Sequence, residues 1–232
     1  MKIGDTMDNV EELYMNGKLL VRAMDLPQLK RGQDGLEYDC STWANEFSMM
    51  QNGGLSSASS TLLVPTVGVS TYKNIGFMIN SDLADCFHIS KTDSGSNGNV
   101  ENGDFFAKEA DFSTIDELAN YIYNSKDTTM NEVNINTTLE SVEGLFFNEC
   151  PRQDLLLQMV YVVRSCLKSM TGIDYPIYSY DTVNGKINHI ELTEELEQQI
   201  TESLRTNKVF YWPDDYEQPV IDEIKSSNDY TR

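Results

Sequence analysis

What most constrains this chain is the length of its apolar segments. The longest runs, at 61–64 and 155–163, fall far short of the about 18 apolar residues of a membrane-crossing helix. Strand patterns read at 18–24, 75–79, 86–90, 130–136 and 142–147, while 62–64 follows a Ser-rich segment, 56–61. The alternation in 130–136 and the apolar 142–147 predict that these two segments pair. Helical patterns fall between them. Thr6 caps 7–16 with Gly17 as terminator, 40–50 stops at Gly53-Gly54, and 152–170 closes at Gly172. Ser113-x-x-Asp116 opens a helix to Tyr123 with Ile115, Leu118, Ala119 and Ile122 on one face. Thr193 caps a charged helix to about 206. A hairpin, 176–180 and 186–190, turns at Asn184-Gly185 with a type I′ signal. Residues 30–38 read as a polar stretch, 91–104 as a loop, and 208–212 as a last strand. The order is α+β, without βαβ alternation.

Composition limits the chemistry. Of 232 residues, 40% are apolar, enough for one large core, so wholesale disorder is excluded. Thirty-seven Asp and Glu against 17 Lys and Arg leave a net charge of -20. A nucleic-acid partner is not expected, because no basic patch offers the counterion release that phosphate binding needs. Cys40, Cys86, Cys150 and Cys166 form no CxxC pair, so no metal site is expected and reduced, mostly buried thiols are the default. The chain opens without a charged segment followed by an apolar one, so a Sec signal is not read. His189 reads as structural.

Three features carry candidate chemistry. Arg22 stands inside an apolar strand, where a charge needs an anionic partner. Gly53-Gly-Leu-Ser-Ser-Ala-Ser59 and Gly68-Val-Ser-Thr-Tyr72 each supply flexible backbone and hydroxyls. Glu132, in Met130-Asn-Glu-Val-Asn-Ile-Asn136, is a carboxylate within a strand pattern.

In this order the pieces resemble mono-ADP-ribosyltransferases of the cholera-toxin-like Arg–Ser–Glu group, over about residues 18–148. Leu19-Leu-Val-Arg-Ala-Met-Asp25 is similar to the family's first strand. Gly54-Leu-Ser-Ser-Ala-Ser59 is similar to its Ser-Thr-Ser strand, with Val69-Ser-Thr-Tyr72 a rival for that slot. Asn131-Glu-Val-Asn134, followed by Val142-Glu-Gly-Leu-Phe146, is similar to the strand pair of the catalytic glutamate. The resemblance implies a split, mostly antiparallel β core with flanking helices, an NAD-binding part at 1–148, and a helix-plus-hairpin extension at 149–232 that could serve target recognition. It implies NAD as substrate, bound by Arg22, Ala23, Ser56, Ser57, Ser70 and Tyr72, with Glu132 catalytic. Tyr72 or Phe77 would stack on nicotinamide, and the loop 125–130 would face the acceptor. It further implies a monomeric bacterial effector or toxin, made in the bacterial cytoplasm and delivered to a host protein. Met130 replaces the acidic or amide residue usual in arginine-modifying members, with Asn131 as a compensating neighbour.

Two other readings compete. Tyr38-Asp-Cys-Ser-Thr-Trp-Ala44 puts Cys40 at a helix start, which lowers a thiol pKa, with His88 as base and Asp104 or Asp111 to orient it; this resembles papain-like hydrolases. An acidic inhibitor or immunity-type protein would exploit the net charge for steered association. Tyr211, Trp212-Pro213 and Tyr216 form a candidate contact patch.

Overall fold

Three strands too apolar for a solvent-facing side take the centre of the sheet. β1 (Leu19–Met24) pairs antiparallel with β5 (Ile75–Asn80), from Leu19↔Asn80 to Met24↔Ile75. β5 pairs in turn with β8 (Val142–Asn148), whose residues are all buried, so both of its faces are covered. α1 (Ile3–Met15) and α4 (Gln153–Thr171) both pack on β8. The computed structural model describes residues 3–32, 35–65, 68–92, 110–125 and 131–206.

The eight-stranded sheet runs β10-β9-β8-β5-β1-β4-β7-β6, with β4 at Leu55–Leu63, β6 at Asp85–Ser90, β7 at Glu132–Thr137, β9 at Ile177–Asp181 and β10 at Lys186–Ile190. Its pairings are antiparallel except β8 with β9. The fold is therefore α+β and mostly antiparallel. β8, α4 and β9 do form one βαβ unit, contrary to the expected lack of any, because α4 carries the chain back along the sheet before β9 begins. β9 and β10 extend the same sheet.

The expected pairing of 130–136 with 142–147 does not form. A 3₁₀ turn, Leu139–Ser141, separates β7 from β8, and they lie in different parts of the sheet. β8 buries both faces at the centre, whereas β7 carries Asn and Thr that suit a place near the edge. The polar stretch 30–38 is largely a second small sheet, the hairpin β2 (Gln28–Gly32) and β3 (Gly35–Asp39).

Helix ends differ in detail. α1 begins at Ile3, so Thr6 lies inside it, while Gly17 and Gly172 do adopt the left-handed backbone (φ 64 and 73) that ends α1 and α4. α2 (Ser41–Gln51) buries Trp43, Phe47 and Met50. α3 (Ile115–Ser125) is capped one residue later than Ser113-x-x-Asp116 predicts. Thr114 Oγ1 accepts from Glu117 N at 3.2 Å, and Glu117 Oε2 accepts from Ser113 N at 2.8 Å, a reach that Asp116 lacks. α5 (Glu194–Thr206) is capped as expected by Thr193, whose Oγ1 accepts from Leu196 N at 3.2 Å. The β9–β10 turn is no two-residue type I′. Asp181 pairs with Lys186, Asp181 Oδ1 accepts from Val183 N and Asn184 N, and in that turn Gly185 alone has positive φ. Residues 93–104 of the expected loop, the 126–130 segment, the strand at 208–212 and the patch at 211–216 lie outside the described residues. Among the described residues no helix is long and apolar enough to cross a membrane.

Candidate functional site

The β1–β4 ladder stops early. Its pairs are Leu19↔Leu63, Leu20↔Leu62 and Val21↔Thr61. Beyond that point β1 stays with β5 and β4 stays with β7, up to its bulge. A cavity of about 350 Å³ lies at this opening, lined among others by Arg22, Glu46, Ser59, Ser60, Tyr72 and Glu132. That volume falls at the small end of ligand pockets.

Arg22 spans the opening. Register sets its direction: Arg22 pairs with Phe77, and directly opposed residues share a face of the sheet. Phe77 packs edge-on against Trp43 and Phe47 of α2, with ring centroids 6.2 and 5.2 Å apart, so Arg22 also points to the α2 side. There Nη2 donates to Glu46 Oε1 at 2.8 Å, Nε to Glu46 Oε2 at 3.3 Å, and Nη1 to the carbonyl of Ser59 at 3.0 Å. Both side chains are mostly buried, 25% and 15% exposed. The anionic partner demanded by a strand-borne arginine is thus Glu46, which sequence reading missed. Its signal was present: Glu46 adjoins Phe47 and lies three residues after Trp43, at the margin of the buried face of α2.

The predicted residues separate into two groups. Arg22, Ala23, Tyr72 and Glu132 line the cavity. Ser56, Ser57 and Ser70 are exposed and lie outside its lining. A bulge between Leu55 and Ala58 redirects the first two serines, and Ser57 has φ 55, its N–H donating to Asn136 Oδ1 at 3.1 Å. From the Gly54–Ser59 segment and its continuation it is Ser59 and Ser60 that line the cavity; Ser60 Oγ donates to the carbonyl of Val133 at 2.7 Å. From the rival segment only Tyr72 joins, 64% exposed at the rim. Phe77 is fully buried against α2 and is a core residue, not one that can stack on a ligand.

Glu132 is the first residue of β7 and half-buried. Asn131, just before it, is buried with its amide engaged by the backbone of Leu62, so it cannot compensate for Met130 by turning to an acceptor. At the rim Lys73 Nζ meets Asp25 Oδ1 at 2.5 Å, an exposed pair of little energetic weight.

Cys40 departs from expectation. Burial, with Cys166 of α4 alongside, pushes its thiol up from 9.0 to about 12, so its N-terminal position on α2 does not generate a thiolate. His88 sits on the edge strand β6, opposite Asn134. Asp111 accepts from Ser90 Oγ at 2.9 Å and Lys91 N at 3.1 Å. His189 is exposed, its ring edge-on to Tyr178 at 5.3 Å. Among the described residues no cluster of three or more His, Cys, Asp or Glu could hold a metal. No protein-family model matches the chain, and no curated protein matches it either.

Proposed function

We propose that this chain transfers ADP-ribose from NAD to a protein side chain and releases nicotinamide. One observation carries the reading: Arg22 of β1, Ser59 and Ser60 of β4 and Glu132 of β7 line a single cavity, although they are far apart in sequence. These are the residue types of the Arg–Ser–Glu group, in its chain order.

The chemistry suits the arrangement. The bond between the ribose C1′ and the nicotinamide nitrogen breaks, nicotinamide leaves with the electron pair, and positive charge develops on the sugar. A fixed, half-buried carboxylate at Glu132 stabilises that charge and accepts a hydrogen bond from the ribose 2′-hydroxyl. The acceptor side chain then bonds to C1′ and loses a proton. Arg22 supplies for a phosphate the donors that Glu46 and Ser59 leave over, one on Nη1 and one on Nη2, and Tyr72 an aromatic face at the rim. The buried Cys40, 8% exposed, with its thiol pushed up by that burial, gives the cysteine-hydrolase reading less support.

The test is nicotinamide release from NAD, in a eukaryotic cell lysate, by wild type and Glu132→Gln side by side. Release by wild type, reduced at least 100-fold in the variant, is the expected result. Equal release from both, or none from wild type, overturns the reading.

A further inference from the structure

We infer that Glu46 of α2 is a positioning residue for Arg22, so that NAD affinity is set in part by a carboxylate that never touches NAD. The inference rests on the transferase reading and adds a residue to it.

A guanidinium has five N–H donors. Three are engaged here: Nε and one on Nη2 by the Glu46 carboxylate, and one on Nη1 by the carbonyl of Ser59. One donor on Nη1 and one on Nη2 remain, enough for a two-point contact with a phosphate. Glu46 and Ser59 hold the guanidinium from two sides of the strand opening, one on a helix and the other on β4. Without Glu46 the guanidinium keeps only its single hydrogen bond to the Ser59 carbonyl, one contact about which it can turn, and the charge of Arg22 is left without its ion-pair partner.

α2 is itself firmly docked, as a positioning element must be. Trp43, Phe47 and Met50 are buried, and Trp43 Nε1 donates to the carbonyl of Asp25 at 2.8 Å, joining the helix to the chain just after β1. The Glu46 carboxylate is therefore placed by the same core that places Phe77, the strand partner of Arg22. Because Arg22 would hold a phosphate alike in substrate and transition state, misplacing it weakens binding and leaves the chemical step nearly untouched.

The test is a double-mutant cycle on steady-state nicotinamide release with wild type, Glu46→Ala, Arg22→Ala and the double variant. Glu46→Ala is expected to raise KM for NAD about tenfold, with kcat changed by less than about threefold. In the Arg22→Ala background the same substitution adds no further loss or restores part of it. Glu46→Asp, which keeps the charge but shortens the reach, should raise KM in the same direction. A substitution that merely damaged the fold would lower activity by the same factor in both backgrounds, and that additive result overturns the assignment. So does an unchanged KM in Glu46→Ala. If wild type releases nicotinamide, Glu132→Gln does not, and Glu46→Ala behaves as wild type, the positioning role falls and the transferase reading stands. Absence of release from wild type overturns both.

Discussion

The side-chain amide of Asn131 hydrogen-bonds both backbone groups of Leu62: Oδ1 accepts from Leu62 N at 2.8 Å, and Nδ2 donates to Leu62 O at 3.0 Å. The β4–β7 ladder ends at Ser60↔Val133, so a side chain continues the pairing where the backbone ladder has stopped. Glu132, between Asn131 and Val133, is held at the cavity by that clasp.

Asn131→Ala should therefore destabilise the fold by about 2–3 kcal/mol, since it leaves the buried N–H and carbonyl of Leu62 unpaired. Urea unfolding measures this directly. Nicotinamide release should fall as well, because Glu132 loses its anchor, and full activity in Asn131→Ala would show that the clasp does not position the glutamate.

Gly76 opposes Ala23 on β5, and a Cβ built there would collide with the carbonyl of Arg22 and the ring of Phe146. Both obstacles belong to the packed centre of the sheet and neither can swing aside. Gly76→Ala is expected to cost about 3 kcal/mol and to displace β1 at Arg22. A thermal unfolding midpoint equal to that of wild type would count against the close β1–β5 approach.

Tyr72 behaves differently because its ring lies at the rim, mostly exposed. Tyr72→Ala should change stability by less than about 1 kcal/mol. If the ring stacks on the nicotinamide or adenine of NAD, KM should rise about 3- to 10-fold, in line with roughly 1 kcal/mol for an aromatic contact. An unchanged KM would remove Tyr72 from the site.

Alkaline pH should unfold the protein. Burial raises Cys40 from 9.0 to about 12, and Tyr175, Tyr178 and Tyr180 each from 10.0 to about 12. Below pH 9 these groups are protonated in both folded and unfolded chains and do not affect the balance. Between pH 9 and 12 for the thiol, and 10 and 12 for the phenols, the unfolded chain binds fewer protons, so stability falls with rising pH. Each group contributes about 1.4 kcal/mol per pH unit across its window. Urea midpoints at pH 8, 10 and 11 should decline with increasing steepness. A thiol reagent at pH 8 should leave Cys40 unmodified in the native protein and label it after unfolding.

Local order was legible where it depends on neighbours in the chain. The apolar face of α3 at Ile115, Leu118, Ala119 and Ile122, the left-handed end of α4 at Gly172 and the Thr193 cap follow from spacing and backbone chemistry within one turn. The small sheet at 28–39 was not, because Lys30, Arg31 and Glu37 show no apolar alternation. Nor was the separation of β7 from β8, which depends on competition for the sheet's centre.

For the site, the sequence by itself determined that Arg22, embedded among apolar residues, needs an anion, and that Glu132 is a carboxylate carried by a strand segment. Only the tertiary structure decided which anion and which serines. Glu46 meets Arg22 because Phe77 sets the face on which the arginine emerges and docks α2 there. Ser59 and Ser60 replace Ser56 and Ser57 at the cavity because a bulge in β4 changes which residues face the opening. Strand register and helix docking are properties of the packed core, and no spacing within a single segment encodes them.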